Sequence, residues 1–101
     1  MTIKGVYTAL VSPFTQDGQV DWKAFDKLLD IQANAGVDGI VISGTTGESP
    51  TLSVDEKVSL FRRARAHLPA SVQVMAGTGG NCTQQSIELS KLAQDAGANS
   101  L

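Results

Sequence analysis

The chain has 101 residues, of which 42% are hydrophobic and 18% charged, and its formal net charge is -2. This composition suits one small soluble domain. It offers no basic surface for nucleic acid and no apolar run long enough to span a bilayer. A single cysteine, Cys82, excludes an internal disulfide, and a single histidine leaves no paired metal-ligand spacing. We therefore expect a cytoplasmic protein without a metal or cofactor.

Strands and helices are predicted to alternate along the chain. Apolar periodicity places strands near 6–11, 39–43 and 72–76, and helices near 22–35, 54–67 and 83–96. Asp21 is placed to cap the first helix, and Ser53 with Glu56 reads as a capping box for the second. Gly36 and Gly97 are natural stops for the first and third helices. The cluster of three arginines at 62, 63 and 65 is interpreted as a solvated face of the second helix.

The period of about 30 residues between strands predicts βαβ units and a parallel sheet. Residues 99–101 read as the start of a fourth strand. A closed (β/α) barrel needs eight strands and roughly 250 residues, so three units cannot close one. We expect the chain to be a piece of a larger protein or to pair with another copy.

The turn after the second strand carries the strongest functional signal. Gly44 and Gly47 bracket Thr45 and Thr46, and Glu48 follows. Glycine lets a ligand approach the main chain closely, and such turns lie at the carboxyl edge of the sheet, where α/β proteins bind ligands. An equally weighted alternative is that the two threonines only satisfy backbone groups of the turn.

Short motifs along the whole chain point to one family. They lie at 5–14, 17–18, 35–39, 44–48, 52–56, 76–79, 81 and 96–98. With these motifs the sequence resembles the dihydrodipicolinate synthase / N-acetylneuraminate lyase family of pyruvate-dependent class I aldolases. The resemblance implies the N-terminal part of a (β/α)8 TIM barrel, with about three βα units and the start of strand four, in a parent that is a homotetramer. Two threonines in the turn favour the synthase branch, because lyases more often show Ser-Thr there.

The resemblance also implies a reaction. A lysine amine forms a Schiff base with pyruvate, and the enamine attacks an aldehyde, which in the synthase branch is aspartate semialdehyde, for lysine and diaminopimelate synthesis. Thr45 matches a threonine of the proton relay, and Thr46 matches the residue that binds the pyruvate carboxylate. Glu48 matches the motif's carboxylate and is interpreted as bracing the turn. Tyr7, the single tyrosine, is interpreted as packing.

The family's Schiff-base lysine and catalytic tyrosines correspond to later strands, beyond residue 101. Lys4 precedes the first strand, at the wrong end of the sheet. The other lysines fall in predicted helices, outside the barrel, where they stay charged: Lys23, Lys27, Lys57 and Lys91. We therefore expect these 101 residues to carry part of the pyruvate site and to be inactive alone.

Some family members are inhibited by lysine at a tetramer interface. The matching region contains Ser49, Lys57, Asn81 and Gln85. Sensitive members tend to have His at position 57 and Glu at position 85. Since a cation repels the ligand's ammonium and an amide loses charge pairing, we expect weak lysine feedback in the parent.

Three other interpretations of the sequence compete with this one. The parent could be another pyruvate aldolase, such as a neuraminate lyase or a keto-deoxy-sugar acid aldolase, which the aldehyde it accepts would decide. The chain could be a non-catalytic, associated fragment, which its mass in solution would test. A dinucleotide site at 77–79 is rejected, because Cys82 stands where the third glycine is needed.

Overall fold

A computed structural model describes residues 2–101 and has an α/β fold with one parallel sheet in the order β1-β2-β3. The elements are β1 (Tyr7–Ala9), α1 (Trp22–Asn34), β2 (Gly39–Ile42), α2 (Val54–His67), β3 (Gln73–Ala76) and α3 (Thr83–Asp95). The first strand is shorter than the predicted 6–11. Its ladder ends where the Leu10 N–H donates to the Val41 carbonyl, and Ser12 then bends away to reach Gly47.

A fourth strand begins beside β3, as expected near residue 99. Met75 pairs with Ser100 in a parallel bridge. The Asn99 N–H donates to the Val74 carbonyl at 2.8 Å, and the Ala76 N–H donates to the Ser100 carbonyl at 2.9 Å. The chain therefore returns to the same sheet after α3, as successive βα units of a parallel sheet do.

The two faces of the sheet differ in burial. Ile40, Ile42 and Val74 are buried against the helices, where Phe25 and Leu60 belong to the same core. Side chains of the alternate positions, Val41 and Met75, are only half-buried. Within residues 2–101 the second face is therefore only partly covered, whereas a parallel sheet is normally covered on both faces. In a barrel that face points inward and is filled by side chains of other strands.

Local signals account for the helix ends. The Asp21 carboxylate accepts from the Ala24 N–H at 3.0 Å and caps α1. Ser53 and Glu56 form both bonds of the capping box, at 3.1 and 2.9 Å. Gly36 ends α1 with a φ of 80°, a left-handed conformation that glycine adopts without strain. None of the helices in residues 2–101 combines the length and apolar character that a bilayer crossing requires.

In the arginine cluster of α2, Arg62 and Arg63 are exposed, as the interpretation of a solvated face expects, whereas Arg65 is half-buried. Arg63 donates two hydrogen bonds, at 2.9 and 2.7 Å, to the Asp26 carboxylate of α1. Arg65 donates to the Asn99 side chain at 2.6 Å and to the Pro69 carbonyl at 2.8 Å. These partners join α2 to α1 and to the fourth strand. The hydrogen bond from Arg63 is the largest of the effects on the pKa of the Asp26 carboxyl, which lies below its ordinary value. Burial opposes it, and the charges of Arg63 and His67 lower the pKa further by smaller amounts.

Replacing Asp26 should reduce the protein's sensitivity to acid. Because the carboxyl pKa is lower in the folded state, its contribution to the free energy of unfolding is complete above the unfolded value of about 4 and is lost as the pH falls below it. We expect Asp26→Asn to lose less unfolding free energy between pH 5 and pH 3 than the unsubstituted protein does, as measured by urea unfolding. Asp95→Asn is the control, since Asp95 is exposed and forms no ion pair within residues 2–101. Equal acid sensitivity of Asp26→Asn and the parent would contradict this account.

Candidate functional site

The glycine-bracketed turn lies at the carboxyl end of β2, the edge at which the sequence placed it. The backbone enters and leaves the turn through left-handed residues, Ser43 and Glu48, each with a φ of 59°. The Glu48 N–H donates to the Thr45 carbonyl at 3.0 Å, and the Ser49 N–H donates to the Gly44 carbonyl at 3.3 Å. The turn is thus closed by its own main chain.

Gly47 is the point where this turn is tied to β1. The Ser12 hydroxyl donates to the Gly47 carbonyl at 2.7 Å, and both residues are buried. A Cβ at Gly47 would lie 3.1 Å from the Leu10 carbonyl oxygen and 3.2 Å from the Ser12 hydroxyl. A side chain there would crowd the bond that holds the turn, so the glycine has a structural role.

The two threonines of the turn are exposed. Within residues 2–101 neither hydroxyl forms a hydrogen bond, while the Thr51 hydroxyl and backbone N–H satisfy the Glu48 carbonyl at 2.8 and 2.9 Å. The alternative in which Thr45 and Thr46 serve only the turn's own backbone therefore has no support in the geometry. Both hydroxyls are available to a ligand.

Glu48 braces the turn through its backbone, not through its side chain. Its carbonyl accepts both bonds from Thr51, and its left-handed backbone starts the single 3₁₀ turn at Ser49–Thr51. The carboxylate is exposed and takes no part in the turn's hydrogen bonds within residues 2–101. The sequence motif predicted the bracing position but not which atoms perform it.

A second turn, which follows β3 and begins at Gly77, lies against the first at the same edge of the sheet. The Gly77 N–H donates to the Ile42 carbonyl at 2.7 Å, where β3 passes β2. Between the two turns is a cavity of about 690 Å³ that includes Thr45 but not Thr46. Its lining consists of Ser43, Gly44, Thr45, Ser49, Pro50, Lys57, Gly77, Gly79, Gly80, Asn81 and Gln85.

Lys57 contributes a charged side chain to this cavity. It belongs to α2, as expected, but its half-buried side chain lines the cavity together with Thr45. The predicted position of Lys57 on a helix is therefore confirmed, and the helix brings this lysine to the cavity. The four residues named for lysine feedback, Ser49, Lys57, Asn81 and Gln85, all line this one cavity.

Ser12, Ser43 and Ser49 were not predicted as residues that hold the site. Each acts on a group distant in sequence or through backbone geometry, and single serines at strand ends carry no distinguishing pattern. Tyr7 packs with its ring over Gly39, since a Cβ at Gly39 would lie 2.3 Å from the ring edge. In residues 2–101 no group of three His, Cys, Asp or Glu side chains is arranged to hold a metal ion.

The parallel sheet and the turns at its carboxyl edge, here called the rim, define the class of protein. It is an α/β chain with part of a parallel barrel and a hydroxyl-bearing turn at that edge. A model of the Dihydrodipicolinate synthetase family matches residues 2–101, and the chain belongs to that family. The resemblance drawn from the short motifs is thereby confirmed.

Relatives and solved structures agree with this assignment. The 4-hydroxy-tetrahydrodipicolinate synthase of Corynebacterium urealyticum is 50% identical over 96 residues, which make up 95% of this chain and 32% of that protein. That of Bacillus subtilis is 43% identical over 101 residues, 100% of this chain and 35% of that protein. The chloride-inhibited dihydrodipicolinate synthase of Acinetobacter baumannii, complexed with pyruvate, superimposes with a TM-score of 0.94 at 40% identity, covering 98% of this chain and 34% of that one. The chain spans about a third of the length of these proteins.

Removing the Ser12 hydroxyl should loosen the turn. Ser12→Ala leaves the buried Gly47 carbonyl without its donor, which costs about 1–3 kcal/mol of unfolding free energy. Urea unfolding measures this cost. Ser71→Ala, at an exposed serine between α2 and β3, is the matched control. If both variants lost the same small amount of stability, the Ser12 bond would not be holding the turn.

Proposed function

We propose that the intact protein is a class I aldolase, a 4-hydroxy-tetrahydrodipicolinate synthase that condenses pyruvate with L-aspartate 4-semialdehyde. The observation that carries the proposal is the pair of exposed threonine hydroxyls, free of hydrogen bonds within residues 2–101, on a turn at the carboxyl edge of the sheet. Family membership and the names of the relatives support the same reaction.

The two threonines have different proposed roles. Thr46 binds the pyruvate carboxylate through its hydroxyl and backbone N–H, as turns with free N–H groups bind anions. Thr45 passes protons as one member of a relay. An unactivated hydroxyl is a weak acid and base, so the relay needs further groups, and the family resemblance supplies two tyrosines for that role.

The Schiff-base amine is proposed to lie on a strand outside residues 1–101. An imine-forming lysine needs a desolvated amine of lowered pKa. Lys4 precedes β1, and Lys23, Lys27 and Lys91 are exposed on helices. Lys57 is half-buried but faces an open cavity on the rim. On this proposal residues 1–101 hold part of the pyruvate site and do not catalyse the reaction alone.

The proposal also covers the cofactor requirement, location and oligomeric state of the enzyme. The lysine imine provides the electron sink, so the aldol step needs no metal or other cofactor. The parent is proposed to be a cytoplasmic homotetramer in lysine and diaminopimelate synthesis. The alternative, that the protein is a different pyruvate aldolase, includes the same Thr46 contact, because every such enzyme must hold the pyruvate carboxylate. Only the aldehyde substrate distinguishes this alternative from the synthase.

Trapping with borohydride tests this function. The intact protein treated with pyruvate and borohydride should gain one pyruvyl adduct by mass spectrometry. Thr46→Ala should raise KM for pyruvate about 10–100-fold, the cost of a hydrogen bond to a charged group, and Thr46→Ser should retain most of the affinity. Thr45→Val should lower kcat by about 100-fold or more with a smaller change in KM.

Lys57→Met is the matched control for the trapping experiment, because it removes the one lysine that lines the rim cavity. The adduct should persist in this variant. Loss of the adduct would assign the amine to Lys57 and overturn the proposed placement. Turnover of N-acetylmannosamine or a sugar-acid aldehyde, with none of aspartate semialdehyde, would favour the other aldolase.

Lysine should inhibit the intact enzyme weakly. Among residues 2–101, Lys57 is the only charged side chain that lines the cavity, and none of their carboxylates lines it to pair with a ligand's ammonium. We expect Lys57→His combined with Gln85→Glu to lower the lysine concentration for half-inhibition. Gln84→Glu, on the same helix but outside that lining, is the control. A parent whose activity halves at sub-millimolar lysine would refute the prediction.

A further inference from the structure

Ser43 is a buried serine with a left-handed backbone conformation. It follows β2 directly, its side chain is buried with 1% exposure, and its φ is 59°. Only glycine adopts the left-handed region freely, so a buried serine there is held by its neighbours. The adjacent Gly44 does not carry a positive φ. The change of direction after β2 is therefore made by Ser43.

Two contacts hold Ser43 in this conformation. Its hydroxyl donates to the Ser49 hydroxyl at 3.3 Å, across the base of the turn. Its carbonyl faces Gly77, where a Cβ would lie 2.2 Å from the carbonyl oxygen. Gly77 is itself fixed to β2 by its bond to Ile42. Ser43 is therefore clamped between the 3₁₀ turn on one side and the exit of β3 on the other.

This clamp controls the direction of the threonine turn. Within residues 2–101 Thr45 and Thr46 have no side-chain bonds of their own to hold them. Their positions follow from the backbone angles at Ser43, where the turn begins, and at Glu48, where it ends. We propose that Ser43 is a positioning residue, which sets the orientation of the turn that receives the pyruvate carboxylate. The inference rests on the proposed function for its ligand, but not for its geometry.

The test is a double-mutant cycle in the intact protein. Ser43→Ala and Ser49→Ala each remove the hydroxyl bond, and each should raise KM for pyruvate roughly 3–10-fold with kcat nearly unchanged. The double variant should be no worse than either single variant, because all three lack the same bond. Ser59→Ala, at an exposed serine of α2, is the control and should match the parent.

A second readout does not depend on pyruvate. Amide hydrogen exchange at residues 45–47 should be several-fold faster in Ser43→Ala, with α3 unchanged. Unchanged exchange, additive KM effects or an unchanged KM would overturn the proposal. If the parent forms no pyruvyl adduct, the proposed function fails, and the exchange data alone decide the positioning role: faster exchange confined to the turn supports it, and unchanged exchange refutes it.

Discussion

The rim of this sheet depends on the close approach of β2 and β3 at their carboxyl ends. Gly77 donates to Ile42 at 2.7 Å and leaves no room for a Cβ against Ser43. Parallel strands in register bring successive exits to one edge, and the missing side chain lets the two exits touch. The cavity and the clamped Ser43 both follow from this contact. A bulkier residue at 77 would separate the exits and open the rim.

The hydrogen bonds that hold the turn do not use the hydroxyls of Thr45 and Thr46. Main-chain bonds close it, the Ser12 hydroxyl ties it to β1 at 2.7 Å, and Thr51 satisfies the Glu48 carbonyl. Because these partners satisfy the backbone, the Thr45 and Thr46 hydroxyls remain free. Such a division suits a binding site, in which a preorganised frame presents groups whose hydrogen bonds are completed only by the ligand.

Charged side chains join the layers behind the rim. Arg63 binds Asp26 and lies 5.8 Å from the Trp22 ring centre, so α1 and α2 are linked on their outer side. Arg65 reaches Asn99, whose side chain also accepts from the Val74 N–H at 2.8 Å. One arginine thus connects a helix to the start of the fourth strand. The opposite face of the sheet has half-buried side chains, in keeping with a chain that spans a third of its relatives' length.

The sequence by itself determined the features that depend on near neighbours. The Asp21 cap, the Ser53–Glu56 box and the Gly36 stop act within about four residues, and the glycines around Thr45 and Thr46 marked the turn and the family. Only the tertiary structure decided which groups meet across the fold: Ser12 with Gly47, 35 residues apart, Arg63 with Asp26, 37 apart, and Lys57 with the rim cavity. The physical reason is that a cap or turn is encoded by local backbone geometry, whereas these contacts exist only after strand pairing brings distant segments to one edge or face of the sheet.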